Sequence, residues 1–181
     1  MNFIKRSVLC LLAAIILLLT STTVLSAQTT LPDSISKIVE QERQIAWNLF
    51  RLIGGNANKF SAYKGDLVEK LSSGSTAYKV NDLVETGVTN EFILVQPNGT
   101  TFYWGYITGD EAKLNRFYVA FTYGVGIFGK KNDIPLEAKH DLALSTDTIE
   151  VYNMMVGDVK VGTFTEDKSK KSINIFIGVL N

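Results

Sequence analysis

Between Tyr123 and Asp133 the chain reads YGVGIFGKKND, and two phosphate-binding patterns overlap there. Gly124, Gly129 and Lys130 satisfy G-x-x-x-x-G-K, while Gly124, Gly126 and Gly129 satisfy G-x-G-x-x-G. Either pattern binds an anion only where backbone N–H groups at a helix start converge on it, after a buried strand and before a helix. The residues that follow, KNDIPLEAKHD, are polar and are interrupted by Pro135, and Lys131 stands where a magnesium-binding hydroxyl belongs. Asp147 and Glu150 lie at the distance of a ribose-binding acid, but no helix is evident between them and the glycines. The expectation is therefore a glycine-punctuated end to an aromatic segment, with no nucleotide and no other cofactor.

His140, the only histidine, lies in EAKHD between Glu137 and Asp141. A histidine beside a carboxylate can act as a general base, and with Ser145 or a more distant serine it would complete a nucleophilic triad. No G-x-S-x-G marks a serine, so His140 reads as a solvated loop residue. One histidine without a thiolate does not make a zinc site. Asp147, Glu150, Glu166 and Asp167 lack the alternation of a calcium loop. A glycosidase pair needs only two carboxyl groups roughly 5–10 Å apart, a gap that sequence does not measure. Lys168, Lys170 and Lys171 form a small basic cluster that fits a solvated hairpin tip, and Asn98 opens an N-G-T sequon that doubles as a turn.

The N-terminus has the order of a secretory leader: Lys5 and Arg6, the apolar run Val8–Leu19, then a polar stretch of small residues. The apolar run is short against the roughly 20 residues of a spanning helix. We expect residues 1–27 to be removed, with Ala27 the preferred last residue of the leader and Ser26 the second choice. Removal takes away Lys5, Arg6 and Cys10, which leaves 16 basic residues, 18 acidic residues and a net charge of −2. Such a chain has no disulfide and no global attraction for nucleic acid or an anionic membrane. It is long enough to form one self-sufficient domain over residues 28–181.

These groups must be held by a small set of elements. Ile35, Ile38, Val39, Ile45, Ala46, Leu49 and Ile53 recur at helical spacing after the start signal Pro32-Asp33-Ser34, and Gly54-Gly55 closes that helix. KFSAYKGDLVEKL and AYKVNDLV read as short extended segments. EFILVQ and TTFYWGYI read as two strands of a hairpin turning at PNG. In the second of these strands Phe102, Trp104 and Tyr106 share one face, while Thr101, Tyr103 and Ile107 share the other. Leu114, Phe117, Tyr118, Phe121 and Val125 predict a second helix from about Asp110 to Tyr123, and DTIEVYNMM, DVKVGTFT and SINIFIGVL predict three closing strands.

The fold class that follows is α+β: an antiparallel sheet covered by two amphipathic helices, in two helix–β half-units of residues 33–108 and 110–181. Function on such a scaffold has to come from a site. The residues that point to one are Phe102, Tyr103, Trp104 and Tyr106, because aromatic side chains dominate interface hot spots. The expected function is an exported, non-enzymatic module that binds a protein or another macromolecule. The alternatives are a small-molecule or lipid-binding domain lined by Phe117, Phe121 and Tyr123, and a small hydrolase using His140 or a carboxylate pair.

Overall fold

The computed structural model describes residues 33–81, 83 and 87–178. The leader expected over residues 1–27 and the side chains of the start signal Pro32-Asp33-Ser34 lie outside the described residues and side chains. The described chain opens with helix α1 (Asp33–Gly55), which is amphipathic: Ile45, Leu49 and Leu52 are buried on one side, and Arg43 is exposed on the other. A single 3-10 turn (Asn56–Asn58) follows. Lys59 and Phe60 then take φ values of 51° and 54°, and Phe60 is driven fully into the core. Left-handed backbone is costly for a residue with a Cβ, and complete burial of the phenyl ring offsets that cost here.

Strands β1 (Lys64–Lys70), β2 (Thr76–Val80), β3 (Asn90–Val95) and β4 (Thr101–Thr108) come next, each antiparallel to the one before. The β3–β4 hairpin turns at Pro97-Asn98-Gly99, with Gly99 at φ 82° and the Asn98 side chain accepting from the Thr100 N–H at 3.0 Å. The turn chemistry read in PNG is therefore present. Asp110 then caps α2 (Glu111–Val119) by accepting from the Lys113 N–H at 2.8 Å.

The second helix runs further than its sequence predicts. After Val119 it widens into a π-helical turn (Ala120–Gly124) and continues as α3 (Val125–Lys131). The whole glycine motif is thus helix interior, not a loop, and it does not follow a strand. Its glycines permit close packing: a Cβ on Gly124 would lie 2.5 Å from the Cβ of Ala46 on α1. Intrinsic propensity disfavours glycine in a helix by about 1 kcal/mol, and the contact between the two helices outweighs it.

The chain returns through β5 (Leu136–His140), β6 (Ile149–Val156), β7 (Val159–Asp167) and β8 (Ser172–Ile177). The eight strands form one antiparallel sheet in the order β1-β2-β3-β4-β8-β7-β6-β5. Each half of the chain therefore supplies a helix and a four-strand meander, and the two meanders join where β4 pairs with β8, Tyr103 opposite Ile177 through Thr108 opposite Ser172. Strand β5 corrects the expectation that EAKHD is a loop. It is an edge strand paired only with β6, and most of its side chains are exposed, so it lacks the apolar alternation that identifies inner strands.

Both helices lie on the same face of the sheet. Ile93, Tyr103, Ile107, Phe164, Ile173 and Ile175 point toward them and are buried against Leu49, Phe117, Phe121 and Val125. Among the described residues no helix lies on the opposite face.

Candidate binding face

Strand alternation decides which side chains reach the open face. Along β4 it takes Phe102, Trp104 and Tyr106, and the cross-strand register extends them into rows. Trp104 lies opposite Phe92 of β3 and Phe176 of β8, and Phe176 lies opposite Thr163 of β7. Tyr106 lies between Asn90 and Asn174, and Asn174 lies opposite Thr165. Phe102 adjoins Leu94 in register.

The aromatic rings form two groups that adjoin where Trp104 lies opposite Phe176 in register. The Phe92 and Trp104 centroids are 6.0 Å apart with planes 6° from parallel, and Trp104 and Tyr106 are 6.1 Å apart at 1°. Phe102 and Phe176 meet across the β4–β8 junction at 4.4 Å. Each of these five rings is half-buried by its neighbours and keeps part of its surface in solvent. A dent of about 60 Å³ lined by Lys160, Thr163, Phe176 and the backbone of Gly162 and Gly178 continues the patch onto β7.

Tyr103 leaves the candidate set, because it points to the helix side and is only 1% exposed. Its phenol donates to Oε2 of Glu91 at 3.0 Å. The ring can lie along the strand because Gly105 has no side chain; a Cβ there would meet the Tyr103 hydroxyl at 2.6 Å. Burial pushes the Glu91 carboxyl above its ordinary value of 4.5, and the hydrogen bond from Tyr103 partly opposes the rise. Burial also pushes the Tyr103 phenol well up, with the adjacent Glu91 carboxylate adding to the effect. The buried Tyr103 hydroxyl and the half-buried Glu91 carboxylate form a polar pair that ties β3 to β4.

The other sequence candidates separate from one another. His140 stacks on Tyr152 at 4.7 Å, and its Nε2 lies 3.1 Å from Ser145 Oγ. Ser145 nevertheless donates its proton to the Asp141 carbonyl at 2.7 Å and accepts from the Val151 N–H at 3.0 Å. Asp141 accepts from Asn153 Nδ2 at 2.8 Å and from the Leu144 N–H at 3.3 Å, and Asn153 is the main cause of its lowered carboxyl pKa. A nucleophilic serine passes its proton to histidine, whereas this hydroxyl proton is held by a main-chain oxygen. The three residues brace the β5–β6 loop.

Glu150 accepts from the Tyr152 phenol at 3.0 Å and is paired with Lys168, while Tyr152 meets the Tyr118 hydroxyl at 3.1 Å. Asp167 is held down to about 2, chiefly by accepting from the Ser169 hydroxyl and the Lys170 N–H in the β7–β8 turn. Among the described residues no group of three or more His, Cys, Asp and Glu gathers as a metal site. Phe117 and Phe121 are buried in the core, Phe121 against Phe164 at 4.7 Å, while Tyr123 is 45% exposed, so the three do not line one cavity. No helix among the described residues is long and apolar enough to cross a membrane.

Sequence reasoning missed Phe92, Phe176, Asn90 and Asn174. Alternation within EFILVQ and SINIFIGVL carries their facing, but only the β4–β8 junction brings them beside Trp104 and Tyr106. Comparison with protein-family models, with curated proteins and with solved structures finds no match.

Proposed function

We propose that this protein is an exported, non-enzymatic binding module that engages a macromolecule through the open face of its sheet, with Phe102, Trp104 and Tyr106 at the centre of contact. One observation carries the reading: the helices cover one face of the sheet, and the other bears partly solvated rings contiguous across β3, β4 and β8. A contiguous apolar patch of that kind marks an interaction surface, where isolated exposed rings would not. Tyrosine and tryptophan bring large contact area with few rotors to freeze. The wiring of Ser145 and Asp141 supports the non-enzymatic part, because the residues nearest to a catalytic arrangement are committed to main-chain and amide partners. Export is supported by the Lys5-Arg6 pair and the apolar run that follows it.

The test is a benzophenone amino acid placed at Trp104, with Lys131 on the helix side as control. Benzophenone inserts into C–H bonds of any adjacent polymer. Irradiation in the cells that make the protein is expected to give a discrete adduct from position 104 and none from position 131. If both positions yield only uncoupled protein, the open face is not a contact surface and the reading fails.

A further inference from the structure

The chemistry of the open face narrows its ligand. The row through Tyr106 contains Asn90, Asn174 and Thr165, and the row through Trp104 contains Phe92, Phe176 and Thr163. From β3 to β7 these two rows hold no carboxylate, ammonium or guanidinium, although 20% of the chain is Asp, Glu, Lys or Arg. The solvent side of a sheet is where charge normally accumulates, so its absence from the middle of this face is a property of the site. Acids and bases return at the margins, where Lys139 pairs with Glu137 and Lys160 borders the dent.

We propose, on the reading that this face is the contact surface, that its ligand is a neutral polysaccharide chain. Sugar rings present C–H faces that lie on aromatic π-surface and hydroxyl edges that both donate and accept. The Phe92–Trp104–Tyr106 array supplies the first kind of contact. The carboxamides of Asn90 and Asn174, one on each side of Tyr106, supply the second, since each offers two N–H donors and a carbonyl acceptor. An anionic polymer would require lysine or arginine in these rows. A protein partner brings charged groups that need counterparts in order to lose their water. A lipid surface would leave the two carboxamides buried without partners.

The shape agrees with the chemistry. The dent beside Phe176 is too small to enclose a sugar ring. The ligand is therefore an extended chain lying across the strands, and affinity accumulates over several residues. The four strands of such a row span three intervals, which makes it about 14 Å long.

The experiment is native affinity electrophoresis of the purified protein through gels containing hydroxyethyl cellulose, a β-1,3-glucan, a galactomannan or dextran, with polygalacturonate as the anionic control. Retardation by at least one neutral polymer is expected, with none by polygalacturonate. Trp104→Ala and Asn174→Ala are each expected to weaken it about tenfold. Trp47→Ala, on the helix side, is expected to leave it unchanged, and circular dichroism checks that each variant is folded. Mobility unaffected by all four neutral polymers overturns the proposal, as does retardation that survives both Trp104→Ala and Asn174→Ala. Sedimentation velocity showing a dimer that Trp104→Asp dissociates assigns the face to a second copy and also overturns it. A protein adduct from benzophenone at position 104, combined with no retardation, removes the polysaccharide and leaves the binding face intact.

Discussion

At the scale of single residues, Tyr103 and Glu91 show how one buried hydroxyl can be coupled to pH. The Glu91 carboxyl is raised by burial, and so is that of Glu42, where the nearby Arg116 opposes the rise. A raised carboxyl favours the protonated folded protein. Its contribution to stability is full below the ordinary value of 4.5 and is lost as pH rises through the raised folded value. Tyr103→Phe removes the hydrogen bond that partly relieves the charged form of Glu91. We expect a loss of about 1 kcal/mol at pH 7, because the acceptor that loses its donor is only half-buried. The loss should shrink at pH 4, below the ordinary value of 4.5, where the Glu91 carboxyl is mostly protonated in both states. Urea unfolding of the wild type and variant at the two pH values checks this, and equal losses at both would mean that Glu91 is not the group affected.

At the scale of elements, the crossing of α1 with the second helix depends on Gly124. Replacing it with alanine gains about 1 kcal/mol of helix propensity, but places a Cβ 2.5 Å from the Ala46 Cβ, a short rigid group that cannot swing aside. Overpacking of that kind costs roughly 1–3 kcal/mol, so Gly124→Ala is expected to destabilise in thermal or denaturant unfolding. Ala46→Gly in the same chain should recover part of the loss, a non-additivity of about 1 kcal/mol in the double-mutant cycle. A stabilising Gly124→Ala would show that the helices do not approach so closely. The same glycines explain what the sequence concealed. Leu114, Phe117 and Phe121 announce the helix by their spacing, but GVGIFG breaks the stripe at the point where packing against α1 and β5, not propensity, keeps the chain helical. Strand β5 was hidden for a related reason: an edge strand with one buried residue, Leu136, has no alternation to read. The β3–β4 hairpin was legible because turn chemistry and alternation agreed there. Alternation puts Tyr103 on the face opposite Phe102, Trp104 and Tyr106, although aromatic character alone names all four together as the site. Completion of the binding face by Phe176 and Asn174 depends on strands about 70 residues apart in sequence meeting at one junction, which no local pattern encodes.

At the scale of the whole molecule, the β4–β8 junction is, among the described strands, the place where the sheets of the two halves meet, and it lies beneath both helices and between the two meanders. Ile107, Ile173, Ile175 and Ile177 in these strands are fully buried. The two edges differ from each other. Most of β1 is exposed, including Leu67 at 56% and Val68 at 43%, and its pairing with β2 is interrupted by two register shifts. The opposite edge is firmer, because α3 packs against β5 and encloses Leu136. Exposed, irregularly paired strands open by local fluctuations of low free energy, whereas a central pair opens only when the whole fold is lost. Native-state hydrogen exchange should therefore rank the amides of β4 and β8 slowest, β5 intermediate and β1 fastest. A destabilising change in the junction, such as Ile175→Val, should accelerate β4, β8 and β7 together while leaving β1, already open by its own route, nearly unchanged. If β1 proved as protected as β4, the sheet would be one cooperative unit out to its edges, and exposure would not be what sets its local stability.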